Sequence, residues 1–260
     1  MGHIRLGDLP RTRRWQEVVG LVAGGASVGD VAAATALAAE SGLATAATDP
    51  GLVESVWLLT QIPVAARRDD YVERLRECGL PVSDEPSLVE LCSAFSKAID
   101  GRLRGLGLRS DLGEMAQLAA VETLSRTVGH RLPALLGAVP SDVRAALSGL
   151  ATTSQFGVLA REFFSRLIER YLTYFLSKEL SNHVGASQRF PNASAHAEFN
   201  SALGTHCRET SRIVGAFAGG WFSKTNFEGG ISRESAGRFA HVALKKTVSE
   251  LRKRRGDDEH

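Results

Sequence analysis

Gly25-Ala26-Ser27-Val28-Gly29 has the G-x-S-x-G spacing of a nucleophile elbow, the turn that exposes a serine oxygen for acyl transfer. That chemistry needs a strand running into the turn and a sheet that brings up an acid and a histidine. Here Trp15, Val18, Val19 and Val22 recur at helical spacing just before it, and Gly24-Gly25 offers a helix stop. Ser27, with Asp30 three residues on, is therefore expected to cap the next helix, and no catalytic residue is assigned.

Metal chemistry would draw on His183, His196, His206, His241 and Cys207, all after residue 150. Zinc sites gather three or four ligands, commonly through short pairs such as C-x2-C or H-x3-H. Neither pair occurs, so no metal is expected. His196 and Cys207 would share one face of a continuous helix, with His206 pointing elsewhere, and Gly204 weakens that helix. The sequence also lacks H-E-x-x-H, G-x-x-x-x-G-K-[ST] and an EF-hand loop, and no cofactor is expected. An enzyme assembled from separate helices would draw first on Glu179, His183, His206 and Glu209.

Two segments carry binding chemistry. In Gly219–Gly230, three aromatics lie between two Gly-Gly pairs. As a binding loop it would make contact through Trp221, Phe222, Lys224, Asn226 and Phe227. The favoured alternative is a helix stop and connector whose aromatics plug the core. Farther on, Lys245, Lys246, Arg252, Lys253, Arg254 and Arg255 make the last helix basic, suited to nucleic-acid phosphates or an acidic partner surface. Cations also complement a helix C-terminus in their own right, and Asp257-Asp258-Glu259 offset them. A faint helix-turn-helix pattern over residues 15–39 fails on charge. Between Arg14 and Arg67 there is no Lys or Arg, whereas Glu17, Asp30, Glu40, Asp49 and Glu54 would repel a phosphate backbone.

Helices must position all of these residues. Periodicity and caps predict them over Trp15–Val22, Ser27–Ala39, from Asp49-Pro50 to Ile62, and over 68–78, 87–104, 111–136, 141–150, 153–181, 194–218 and 232–254. Pro63 should end or kink its helix, and Pro133 should kink another. Asp111 with Glu114 reads as a capping box, and Pro140-Ser141-Asp142 as another start. In the alanine run up to Ala39, small side chains permit close helix–helix approach. The 153–181 helix is apolar over most of its circumference, with one polar stripe of Glu162, Arg166, Glu169, Arg170 and Thr173. Such a helix belongs at the centre of a core or under a partner. No strand pattern of useful length appears, so the expected fold is all-α, a multi-helix orthogonal or bundle-like globule without significant β-sheet.

The two halves differ. Of seventeen aromatic residues, only Trp15, Trp57, Tyr71 and Phe95 precede residue 151. The net charge of +2 divides into −3 over residues 1–150 and +5 over 151–260. A boundary near Gly137-Ala138-Val139-Pro140 would separate an Ala-rich acidic part, 1–138, from an aromatic-rich basic part, 139–260, unless the two form one continuous domain. At 260 residues, 43% hydrophobic and 23% charged, the composition excludes wholesale disorder, collagen and disulfide frameworks. Three widely spaced cysteines and an N-terminal stretch without an apolar core suggest a cytoplasmic protein, and no run supports a membrane span. Heavy Ala, Gly and Arg usage suggests a bacterial source.

These features lead to the expectation of a non-enzymatic helical interaction subunit or adaptor of a larger cytoplasmic bacterial assembly, with a protein partner or a homo-oligomer. The alternatives are a nucleic-acid-associated accessory factor acting through the last helix and an enzyme built on the C-terminal His and Glu residues.

Overall fold

Ser27 accepts a hydrogen bond from the Asp30 N–H at 3.1 Å, so the helix it begins starts where the sequence places it. The same device starts helices at Asp49, Ser87, Ser110, Thr152, Asn192 and Ser232. The computed structural model describes residues 9–44, 46–133 and 139–254, without the Lys178 side chain. Within them the chain is all-α. Twelve helices follow in order: α1 (Arg13–Ala23), α2 (Val28–Ala38), α3 (Glu40–Ala44), α4 (Pro50–Ala66), α5 (Tyr71–Glu77), α6 (Leu88–Leu106), α7 (Asp111–Gly129), α8 (Pro140–Leu150), α9 (Thr153–Asn182), α10 (Ala193–Thr210), α11 (Arg212–Phe227) and α12 (Arg233–Lys253). Among the described residues the only extended pairing is a single bridge between Val184 and Phe190. No helix among them is long and apolar enough to cross a membrane.

Two helices organise the rest. The broad apolar surface of α9 is covered by α7, α10 and α11, and more lightly by α1, α2, α8 and α12. Phe156, Phe163, Phe164, Leu167, Tyr171 and Leu172 are all buried there. Around α4 lie α5, α6, α7, α8 and α12. As its small side chains imply, α2 is buried over most of its surface and touches α1, α9, α10 and α12. The buried apolar side chains form one cluster from Trp15 to Leu251, and α8, which follows the compositional boundary, packs on both α4 and α9. Of that boundary, Gly137 and Ala138 lie outside the described residues.

Four local expectations change. Pro63 does not stop α4, which continues one more turn to Ala66; Ile62, Pro63, Ala65 and Ala66 are buried, and packing holds the turn. Pro133 acts earlier than expected. Its ring would meet the carbonyl four residues back, and α7 ends there, at Gly129, while residues 134–136 lie outside the described set. The N-cap of α7 is Ser110 rather than Asp111: its hydroxyl accepts from Gly113 N–H and donates to Asp49, the cap of α4. Finally, the helix expected over 194–218 breaks at Ser211, where the Thr210 hydroxyl donates to the His206 and Cys207 carbonyls. Such back-bonding bends a helix.

Arg189 fastens the 183–192 loop. Its guanidinium donates to the carbonyls of Leu21, Val22 and Ala26 at the end of α1, and lies over Phe190 and Phe199 at 5.3 and 4.8 Å. A cation at a helix C-terminus also meets the negative end of the dipole. Arg189→Ala should therefore lower the unfolding free energy by about 2–3 kcal/mol. Urea unfolding would measure it, and a loss below about 0.5 kcal/mol, the size of an ordinary surface change, would contradict this account.

Candidate functional site

The segment read as a Gly-rich loop is helix. α11 runs through Gly219-Gly220 and on to Phe227, because Gly219 lies against the Thr153 backbone of α9. The chain turns only at Glu228-Gly229-Gly230, where both glycines have positive φ, 133° and 92°. Helical geometry then divides the five candidate contacts. Phe222 is buried and stacks on Phe156 at 4.1 Å; Trp221 is half-buried and stacks on Phe239 at 4.0 Å. Lys224, Asn226 and Phe227 face solvent. Lys224 and Phe227, three residues apart, share a face with Glu228, whose carboxylate lies 3.9 Å from the Lys224 ammonium.

The basic residues of α12 do not form one patch. Arg252 pairs with Glu40 at 2.8 Å and Lys253 with Glu250 at 2.7 Å, while Lys246 lies 5.7 Å over the Phe217 ring. Lys245 and Arg252 border a shallow cleft of about 320 Å³ between α3 and α12, floored by Leu43, Leu244 and Val248. Arg254 reaches a different groove, and Arg255 lies outside the described residues.

The histidines are dispersed. His196 hydrogen-bonds Asn200 at 3.2 Å and its ring lies 5.4 Å from Phe190. Cys207 is fully buried, and burial pushes its thiol pKa up. His183 Nε2 is 2.9 Å from Glu179 Oε1 at the end of α9. His206 and Glu209 instead line a wide groove of about 680 Å³ with Ser27, Glu198 and Arg254. Neither His183 nor Glu179 lines it. Among the described residues, no group of three or more His, Cys, Asp or Glu is placed to hold a metal ion.

The polar stripe of α9 does assemble a site. Where α9 faces α7, Glu122, Arg166, Glu169, Arg170, Thr173 and Tyr174 line a cleft of about 400 Å³, with Met115 and Leu118 as its apolar part. Glu122 of α7 receives both cleft arginines, Arg170 at 2.7 Å and Arg166 at 3.3 Å, together with Arg126 of its own helix at 3.5 Å, and Arg166 also holds Glu162 at 2.7 Å. Tyr174 donates its hydroxyl to Asp111 at 2.7 Å; burial, helped by that carboxylate, pushes its pKa up to about 12. Burial also raises the pKa of Glu169, partly offset by Arg208, Arg170 and Arg166. Gly204 of α10 makes room for this carboxylate, since a Cβ there would lie 2.8 Å from Glu169 Oε1. The stripe is legible in the sequence, but Glu122 and Tyr174 carry no signal that assigns them to it. Compared with known protein families, curated proteins and solved structures, the chain matches none.

Proposed function

We propose that this chain works by binding another protein, as a helical subunit or adaptor, with the end of α11 as its contact. One observation carries the reading: Phe227 is 92% exposed, whereas all sixteen other aromatic residues are buried or half-buried. An isolated exposed phenylalanine has no packing role in its own fold, and aromatic anchors ringed by polar groups supply much of the energy of protein contacts. Lys224, Asn226 and Glu228 supply such a ring. The pairing of Arg252 and Lys253 within the chain leaves α12 less spare positive charge than its composition implies, which favours a protein partner over nucleic acid. Composition and three free cysteines make the bacterial cytoplasm the setting proposed.

Phe227→Ser should leave the unfolding free energy within about 0.5 kcal/mol of the parent. Partner affinity should fall at least about tenfold. A photo-crosslinking residue at 227 should trap a discrete protein adduct in native lysate, and one at exposed Ala216 on the same helix should not. Equal labelling from both positions would refute the assignment.

A further inference from the structure

In the cleft between α7 and α9, charges balance in number but not in pairing. Two carboxylates, Glu122 and Glu169, face two guanidiniums, Arg166 and Arg170. Glu122 takes both arginines, and Arg166 is further occupied by Glu162. Among the described residues this leaves Glu169, half-buried, with no hydrogen bond or ion pair. Arg170 keeps unused donor capacity, since it meets Glu122 through Nη2 alone. Arg208, Arg170 and Arg166 act on Glu169 only at longer range, so an acceptor with no cation in contact lines the cleft beside a donor with hydrogen-bonding capacity to spare. Leaving half-buried charges unmatched is costly, and a ligand that answers both recovers that cost.

We propose that this cleft is a binding site for an apolar α-amino acid in its zwitterionic form. The ammonium group would meet Glu169 and the carboxylate Arg170, with the side chain over Met115, Leu118 and the Tyr174 ring. Leu118 is 42% exposed, an apolar surface at the cleft that such a side chain would cover. Tyr174 is held in place by its hydrogen bond to Asp111, so this wall is already formed. The volume of about 400 Å³ falls in the range of small-ligand sites. An amine alone would leave Arg170 unanswered while still meeting the three guanidiniums near Glu169, those of Arg208, Arg170 and Arg166; a carboxylate alone would leave Glu169 unanswered and be repelled by it. The site is separate from the α11 contact, and its test does not depend on that contact.

The experiment is calorimetric titration of the full chain with L-leucine, L-methionine and L-phenylalanine, alongside the two halves of leucine, 3-methylbutylamine and 4-methylpentanoate. At least one amino acid should bind saturably, and both halves of leucine at least about tenfold more weakly than leucine. Glu169→Gln keeps the side chain's shape and removes its charge. It should weaken amino-acid binding at least about tenfold while leaving the unfolding midpoint in place, and should not weaken 4-methylpentanoate. The proposal is overturned if none of the three amino acids binds, if 3-methylbutylamine binds as tightly as leucine, or if Glu169→Gln binds like the parent.

Discussion

Arg233→Ala is expected to cost about 3–5 kcal/mol, the size seen when one partner of a buried ion pair is removed. The Glu54 side chain is 3% exposed inside α4, and Arg233 at the start of α12 is its only ion-pair partner among the described residues, through two hydrogen bonds of 2.6 and 2.8 Å. The guanidinium also lies 3.6 Å over the Trp57 ring. Trp57 and Gln61 in turn donate to the Ile231 carbonyl at 2.9 and 3.2 Å, so one cluster fixes the entry to α12 against α4. The loss is asymmetric. Arg233 is 40% exposed and can reach water when Glu54 is removed, whereas Glu54 cannot when Arg233 is removed. Glu54→Ala should therefore cost less than Arg233→Ala, and the double variant Glu54→Leu with Arg233→Met should recover much of the loss. Arg233→Lys should not rescue fully, because a lysine cannot make the bidentate contact or the stack. Urea unfolding of the four variants decides it. Equal losses for the two single variants would show that the carboxylate is not the group left stranded.

What the sequence reveals about this fold depends on whether the cause is local. Ser27, Asp49-Pro50 and Ser232 act on N–H groups three residues away, and all three mark helix starts in the structure. The girth of α9 is likewise legible, because a helix with one polar stripe has only a central position in which to bury the rest. Ser211 is different: the bend there comes from Thr210 bonding its own helix, a choice a threonine makes only in a given packing. The Glu54–Arg233 pair joins two helices across 179 residues of sequence, and no spacing rule connects residues so far apart. The cleft on α9 falls between these cases. Its stripe shows in the heptad-like spacing of the charges, but the distribution of partners, with Glu122 taken by Arg126, Arg166 and Arg170 and Glu169 left over, is a property of the α7–α9 packing.

Gly219 shows how tertiary packing reverses a local rule, and a pair of substitutions should make the reversal measurable. In a helix interior, glycine is normally worse than alanine by about 1 kcal/mol, so Gly220→Ala should stabilise by about that amount. Gly220 is exposed, and a Cβ there would meet nothing within 4 Å. One residue earlier, the same change should destabilise by about 3 kcal/mol, toward the upper end of overpacking costs. A Cβ on Gly219 would overlap the Thr153 carbonyl oxygen, a backbone atom that cannot rotate away. The crossing is built from small residues four apart on both helices, Thr153 and Gly157 on α9 against Gly215 and Gly219 on α11, and a Cβ on Gly157 would lie 2.9 Å from the Gly215 carbonyl oxygen. Thr153 and Ser223 join their hydroxyls at the same place, and Phe222 stacks on Phe156 beside it. Opening this crossing by the width of a methyl group would loosen all of these contacts together. Opposite signs for neighbouring glycines are the expected outcome in urea unfolding. Failure of Gly219→Ala to fold, next to a stabilised Gly220→Ala, would be the same result in stronger form. Stabilisation by both would mean that α11 and α9 do not approach this closely.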